Sequence, residues 1–167
     1  TWTAGSILKV TEWDSGIPTG EIAQYVGRTY NVIGNMNEKQ VAITESTWGG
    51  CDKCQGTEGL MDYGSLIYIA LQRSATAREA IDVITGLVDQ YGYRSSGESF
   101  TIADKNEVWV MEMIGKGKGE KGAVWVAIRI PDDAISAHAN QARIQQIPFN
   151  DKENCLYSPD VVEFARK

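Results

Sequence analysis

The chain has 167 residues, of which 43% are hydrophobic and 23% charged, a composition that is usual for globular proteins and excludes disorder, collagen and disulfide-dense miniproteins. Its 16 basic and 22 acidic residues give a net charge of −6. Because phosphate binding needs Lys and Arg, no nucleic-acid partner is expected. The longest apolar runs are only a handful of residues, so no membrane partner is expected either.

Residues 1–167 contain no repeat and no low-complexity linker, and they predict a single domain. The chain starts with Thr rather than Met and is predicted to stop inside a helix. We therefore expect a segment of a larger protein. Its three cysteines are an odd number, which leaves the compartment open.

The N-terminal third is predicted to form strands. β-Branched residues and partial alternation predict a strand at Ser6–Trp13, and Asp14–Gly20, with a proline and two glycines, is predicted to be a connection. Thr29–Gly34 and Gln40–Thr47 flank the sequence N-M-N-E-K, which indicates two strands joined by a turn.

Two helices are predicted next. Gly49–Gly59, with four glycines and two cysteines, is predicted to be a loop, and the mostly apolar Leu60–Gln72 suits a buried helix. Thr76–Tyr91 is amphipathic, and its first residue forms a capping box with Glu79. Gly92 is a natural stop for this helix.

The hydrophobic pattern then changes to alternation. Further strands are predicted at Glu98–Ala103, Glu107–Ile114, Ala123–Ile130 and, as a short one, Ala134–Ala139. A last helix is predicted from Val161 to Arg166, with Ser158 as its cap. Strands, two helices and strands again indicate an α+β fold with a mainly antiparallel sheet and helices on one face.

The sulfur and imidazole groups leave three alternatives open. Cys51 and Cys54 form one CxxC pair, which is typical of a metal site, a disulfide or ordinary loop thiols, and the glycine-rich setting favours ordinary thiols. With Cys155 and His138 the pair could complete a Cys3His zinc site, although the second CxxC pair of a typical zinc site is missing. His138 alone is predicted to be a strand histidine that bonds to the backbone.

Polar residues at strand ends are the remaining candidates. Asn140 follows the predicted short strand, where its amide could stabilise an oxyanion, and Gln141 is its neighbour. Glu45, Ser46 and Thr47 end another strand beside the glycine loop, where a ligand could approach backbone amides. These residues alone identify no function.

Five segments taken together carry a stronger signal, and they cover residues 34–144 in order. They are Gly34–Gly50 (G-N-M-N-E-K-Q-V-A-I-T-E-S-T-W-G-G), Thr76–Ile81 (T-A-R-E-A-I), the hairpin Glu98–Asp104 with Glu107–Glu112, Val124–Ala127 with Arg129–Asp133 (R-I-P-D-D), and Ala139–Ile144 (A-N-Q-A-R-I). This ordered set resembles the PepD-like dipeptidases, which are relatives of the secernins.

The resemblance implies a cysteine-type Ntn hydrolase with an αββα four-layer sandwich of antiparallel sheets. It implies that a cysteine at a mature N-terminus attacks the peptide carbonyl while its α-amine acts as the base. By the same analogy, Asn140 and the backbone amide of Thr47 or Trp48 stabilise the oxyanion. Glu45, Ser46 and Gln141 are the expected substrate-binding residues, a dipeptide is the expected substrate, and no cofactor or metal is expected.

The chain departs from the family pattern at the nucleophile. The family's cysteine lies upstream of every matched segment, whereas Cys51, Cys54 and Cys155 occupy other places. We therefore expect the nucleophile to be absent from this chain and the isolated segment to be inactive. The alternative is a non-catalytic binding or structural domain on an Ntn scaffold. Relatives with this sandwich often assemble, so a homo-oligomer is one expected state.

Overall fold

A computed structural model describes residues 1–49 and 51–167 of the chain. Gly50 closes the first of the five matched segments and belongs to the predicted loop Gly49–Gly59, and it lies outside the described residues. The strands are β1 (Ile7–Thr11), β2 (Pro18–Ala23), β3 (Val32–Ile33), β4 (Met36–Asn37), β5 (Ala42–Trp48), β6 (Gly97–Ala103), β7 (Val108–Gly115), β8 (Ala123–Ile130) and β9 (Cys155–Tyr157). The α-helices are α1 (Tyr63–Arg73), α2 (Ala77–Tyr91) and α3 (Val161–Phe164), and a 3₁₀ helix spans Asp52–Cys54.

Strands β3 to β9 form one sheet in chain order, and β1 and β2 form a separate hairpin. All the ladders between these strands are antiparallel. The β5–β6 register places Ile43 opposite Ile102 and Thr47 opposite Glu98. The predicted α+β fold with an antiparallel sheet is therefore confirmed.

Helices α1 and α2 cover one face of this sheet. Because side chains alternate along a strand, Phe100 and Ile102 of β6 and Trp109 and Met111 of β7 all point to the same face. These side chains are fully buried in one cluster with apolar residues of both helices, among them Leu66, Leu71, Ile81 and Ile84.

The helix starts follow from their capping residues. Asp62 caps α1 and accepts a hydrogen bond from the Ser65 amide at 2.8 Å. Thr76 caps α2, and its hydroxyl accepts from the Glu79 amide at 3.2 Å. The Glu79 carboxylate reaches back to the amide of Ala75 at 2.7 Å, so the predicted capping box closes one residue earlier than in its usual form.

Several predicted elements are wrong. Ala134–Ala139 is irregular rather than a strand, and Ile135 within it is 97% exposed. The predicted connection Asp14–Gly20 contributes its last three residues to β2. The third helix begins after Asp160, which makes no side-chain capping bond, while the Ser158 hydroxyl accepts from the Trp125 amide instead of capping.

Two short strands, β4 and β9, were not predicted because two or three residues carry no periodic signal. Strand β4 is fixed by the buried side chain of Asn37, whose amide donates to the carbonyls of Leu71 and Ser74 at the end of α1 at 2.7 and 2.8 Å. Its side-chain oxygen accepts from the amides of Lys39 and Val41. No helix in the described part of the chain is long and apolar enough to span a membrane.

Candidate active site

The second half of β5 forms a sheet edge. The Ile43 amide donates to Asn35 on the β4 side at 3.0 Å, and by the two-residue period of a strand the N–H and C=O groups of Glu45 and Thr47 point the same way. Within the described residues, β4 pairs with β5 only at Ala42. The backbone groups of Glu45 and Thr47 therefore lie at an open edge.

Asn140 lies against this edge. Its side-chain amide donates to the Thr47 carbonyl at 2.6 Å, and its backbone amide donates to the Ser46 hydroxyl at 2.7 Å. Its φ of +25° lies at the border of the left-handed region, which Asn tolerates better than most residues. Three residues that the sequence predicts for the site, Ser46, Thr47 and Asn140, are thus brought together from segments more than 90 positions apart.

Trp48 differs from Thr47 in the direction of its backbone. Because the backbone groups of successive residues in β5 point to opposite sides, the N–H of Trp48 points toward β6, where Trp48 lies opposite Gly97. The indole N–H donates to the Ser99 hydroxyl at 2.9 Å. A Cβ on Gly97 would overlap the Trp48 ring, so glycine is required for this close approach. Of the two expected backbone donors, only Thr47 presents its N–H to the open edge.

On the helix-facing side, the Thr47 hydroxyl contacts two carboxyl groups. Its oxygen lies 2.8 Å from Oε2 of Glu98 and 3.2 Å from Oε2 of Glu45. The other oxygen of Glu98 accepts from the Ser95 hydroxyl at 2.8 Å. Burial raises the pKa of Glu98 to about 8, and the neighbouring Glu45 adds to this rise, while the bonds from Ser95 and Thr47 oppose it.

Two cavities flank this cluster. One of about 350 Å³ is lined by Glu45, Thr44 and Trp13, and one of about 340 Å³ is lined by Thr47 and Ser95. Tyr63 lines both cavities, and its hydroxyl donates to Asp14 at 2.7 Å. Partial burial, followed by the Asp14 carboxylate, raises the pKa of the Tyr63 phenol. Both cavities are large enough to hold a small peptide fragment.

The remaining candidates lie outside this cluster. Gln141 is exposed, and its side chain forms no hydrogen bond with the other described residues. The prediction that His138 is a strand histidine bonded to the backbone is wrong, because it lies in an irregular segment and its Nε2 pairs with the Thr101 hydroxyl at 2.8 Å. The reason for this difference is that Ala134–Ala139 pairs with no strand in the part of the chain that the structure describes.

Cys51 and Cys54 form a disulfide, so the expectation of ordinary loop thiols is wrong. The zinc alternative needs both of these thiols as ligands, and they are used in this bond. Cys155 is buried on β9. Among the described residues, no group of three or more His, Cys, Asp or Glu side chains is arranged to hold a metal ion.

The sequence did not single out Glu98 and Ser95. The signal for Glu98 is its position two residues before Phe100 and four before Ile102, because period-two spacing places a carboxyl on the same buried face as two apolar side chains. For Ser95, which lies in the irregular segment between α2 and β6, the sequence holds no comparable signal.

The chain is similar in sequence to known peptidases. The sequence model of peptidase family C69 matches residues 5–167. A probable dipeptidase of Latilactobacillus sakei is 31% identical over 154 residues, which are 89% of this chain and 30% of that protein. The probable dipeptidase B of Streptococcus pyogenes serotype M1 is 35% identical over 103 residues, 62% of this chain and 19% of that protein. The matched part of this chain therefore corresponds to less than a third of the length of each of these relatives.

Proposed function

Because the chain belongs to peptidase family C69, we propose that it is a single-domain segment of a dipeptidase. The proposed reaction is hydrolysis of the peptide bond of a dipeptide by acyl transfer to a cysteine at the N-terminus of the mature enzyme. That nucleophile is proposed to lie outside this chain. The state of the three cysteines supports this, since Cys51 and Cys54 are joined in a disulfide and Cys155 is 1% exposed.

The observation that carries the proposal is the meeting of Thr47 and Asn140 at the open edge of β5. One hydrogen of the Asn140 amide is donated to the Thr47 carbonyl, and an amide NH2 has a second hydrogen to donate. The Thr47 N–H points to the same edge. Two N–H donors directed at one carbonyl oxygen can stabilise the charge that develops on it during acyl transfer, and this is the role proposed for these two groups.

The other residues would bind the substrate or hold the donors in place. Glu45 lines a cavity beside the edge, where its carboxylate is complementary to the ammonium group of a dipeptide. The Ser46 hydroxyl accepts a hydrogen bond from the Asn140 backbone amide and so positions Asn140. The side chain of Gln141 is exposed and is available to contact a substrate. A thiol attack assisted by an α-amine needs no metal or cofactor.

The four-layer sandwich is part of the same proposal. Helices α1 and α2 and the seven-stranded antiparallel sheet would supply two of the four layers. The second sheet and its helices would come from the rest of a family-length protein, and the strand that carries the nucleophile would pair with the open edge of β5.

The test is dipeptide hydrolysis by this chain and by a polypeptide extended to the family's full length. We expect turnover only in the extended protein, with complete loss when the cysteine at its mature N-terminus is changed to alanine. In the extended protein, Asn140→Ala should lower kcat by about 10²- to 10³-fold, the usual effect of removing one oxyanion donor.

Asn106→Ala is the matched control, since Asn106 lies in the turn between β6 and β7. It should leave kcat unchanged. Turnover by this chain alone would contradict the placement of the nucleophile. A folded extended protein without turnover would contradict the proposed activity and favour a non-catalytic binding domain.

A further inference from the structure

Strand β6 begins with an acidic side chain in an apolar setting. Glu98, Phe100 and Ile102 are each 0% exposed and share the helix-facing side of the sheet. A buried carboxylate normally needs a cation or several N–H donors. In the described part of the chain, neither Glu98 nor Glu45 forms an ion pair with Lys, Arg or His.

The contacts around Thr47 favour a proton on one carboxyl. The hydroxyl of Thr47 lies within hydrogen-bond distance of one oxygen of Glu98 and one of Glu45. A hydroxyl has a single hydrogen, so it makes two full hydrogen bonds only by donating to one carboxyl and accepting from the other. A single hydrogen divided between two carboxylates would leave two negative charges side by side in a buried setting. A carboxyl can donate only when it is protonated. The two acids therefore form two full hydrogen bonds with Thr47 only if they hold one proton between them.

The same threonine connects this pair to the open edge. The Thr47 side chain faces the two acids, and its carbonyl accepts from the Asn140 amide at 2.6 Å. A shift of Thr47 caused by repulsion between two carboxylates would therefore move the acceptor that holds Asn140.

We infer that Glu45 and Glu98 share one proton and that Glu98, as the neutral acid, is a positioning residue that fixes Thr47 and through it Asn140. The role in catalysis rests on the proposed dipeptidase function, whereas the shared proton does not. The site would then depend on pH, a property that no sequence motif indicates.

The other titratable groups near Glu98 do not supply a compensating cation. Asp62 at the start of α1 and the buried Tyr93 after α2 are acids, and Tyr93 donates its hydroxyl hydrogen to the Ser96 carbonyl. Arg94 donates to the Thr57 carbonyl at 3.3 Å instead. The surroundings thus oppose a second negative charge, in agreement with the raised pKa of Glu98, about 8.

An NMR titration of this chain tests the shared proton directly. With ¹³C-labelled glutamate carboxyls and ¹⁵N-labelled asparagine, we expect one glutamate to titrate near pH 8 and the Asn140 side-chain amide signals to shift with the same midpoint. Glu98→Gln should remove this titration and keep the Asn140 signals at their low-pH position. Glu45→Gln should lower the midpoint, because the neighbouring charge is gone.

Glu21→Gln is the control, since Glu21 is an exposed glutamate on β2, and it should leave the titration unchanged. A Glu98 midpoint near its ordinary value of 4.5 would overturn the shared proton. If the Asn140 chemical shifts stayed constant while Glu98 titrated, the positioning role of Glu98 would be overturned.

Activity in the family-length protein separates this inference from the proposed function. Glu98→Gln should keep kcat near neutral pH and remove a fall in kcat above pH 8, whereas Glu98→Ala should lower kcat by up to about 10²-fold through misplacement. An unchanged alkaline fall in Glu98→Gln would contradict the positioning role. If no variant hydrolyses dipeptides, the proposed function fails, and the titration still decides the shared proton.

Discussion

Two ends of strand β6 show how differently one buried face can be stabilised. At one end, Phe100 and Ile102 pack among apolar side chains of α1 and α2. At the other end, Glu98 is equally buried, but its neighbours are the hydroxyls of Ser95 and Thr47 and a second carboxyl. Strand alternation therefore decides which side chains of β6 are buried, whereas the chemistry of each side chain decides which partners it needs once buried.

The largest expected effect is at the apolar end. Phe100→Ala should lower the free energy of unfolding by about 3–5 kcal/mol, because it removes a fully buried ring and leaves a cavity. Urea denaturation measures this change. Ile33→Ala is the control, since Ile33 is 87% exposed and its truncation should change stability by no more than about 0.5 kcal/mol. A loss of similar size in both variants would remove the distinction between core and surface.

The polar end should depend on pH, and the apolar end should not. The folded state raises the pKa of Glu98 from 4.5 to about 8, so between these values it binds more protons than the unfolded state. Stability therefore falls as pH rises through this window. Glu98→Gln should remove that slope and become the more stable form above pH 8.

Urea midpoints measured from pH 5 to pH 9 check this expectation, with Glu21→Gln as the control that keeps the wild-type slope. Equal slopes in the wild type and in Glu98→Gln would mean that Glu98 is ionised in the folded protein. The contrast between the two ends of β6 would then be lost.

The smallest expected effect concerns a polar contact at the surface. Thr76→Ala removes the cap of α2 and should lower stability by about 1 kcal/mol, less than either buried end of β6. Thr85→Ala in the same helix is the control, because alanine is the better helix former within a helix and loses no cap. Thermal unfolding of both variants gives the comparison, and equal losses would argue against the capping role.

The sequence predicted the elements that carry a long periodic signal. Helix α2 and strands β7 and β8 lie within one residue of their predicted bounds, because each buries one continuous face. Ala134–Ala139 has a similar alternation of small and apolar residues but pairs with no strand among the described residues, so the alternation alone did not make a strand. Pairing with a neighbour is a tertiary property, which also explains why β2 was not predicted, whereas β4 and β9 are too short to carry a periodic signal.

The site was predictable to a smaller extent. The resemblance to the dipeptidases pointed to Thr47 and Asn140, and the structure places them in contact. It gave no reason to expect Glu98 beside them, since a carboxyl at the start of a strand is usually solvated. The disulfide between Cys51 and Cys54 was one of three alternatives, because spacing alone does not show how closely two sulfur atoms approach.

That disulfide has a practical consequence for the laboratory. The residues after it, Gln55 and Gly56, line the cavity beside Thr47, and the Gly56 amide donates to the Ser95 carbonyl at 2.9 Å. Enzymes with a cysteine nucleophile are commonly kept active with a dithiol reagent, which also opens accessible disulfides. If the proposed cysteine mechanism holds, a reductant added to protect the nucleophile would also open the Cys51–Cys54 disulfide next to this cavity. Samples stored with and without reductant would then differ at the cavity as well as at the nucleophile.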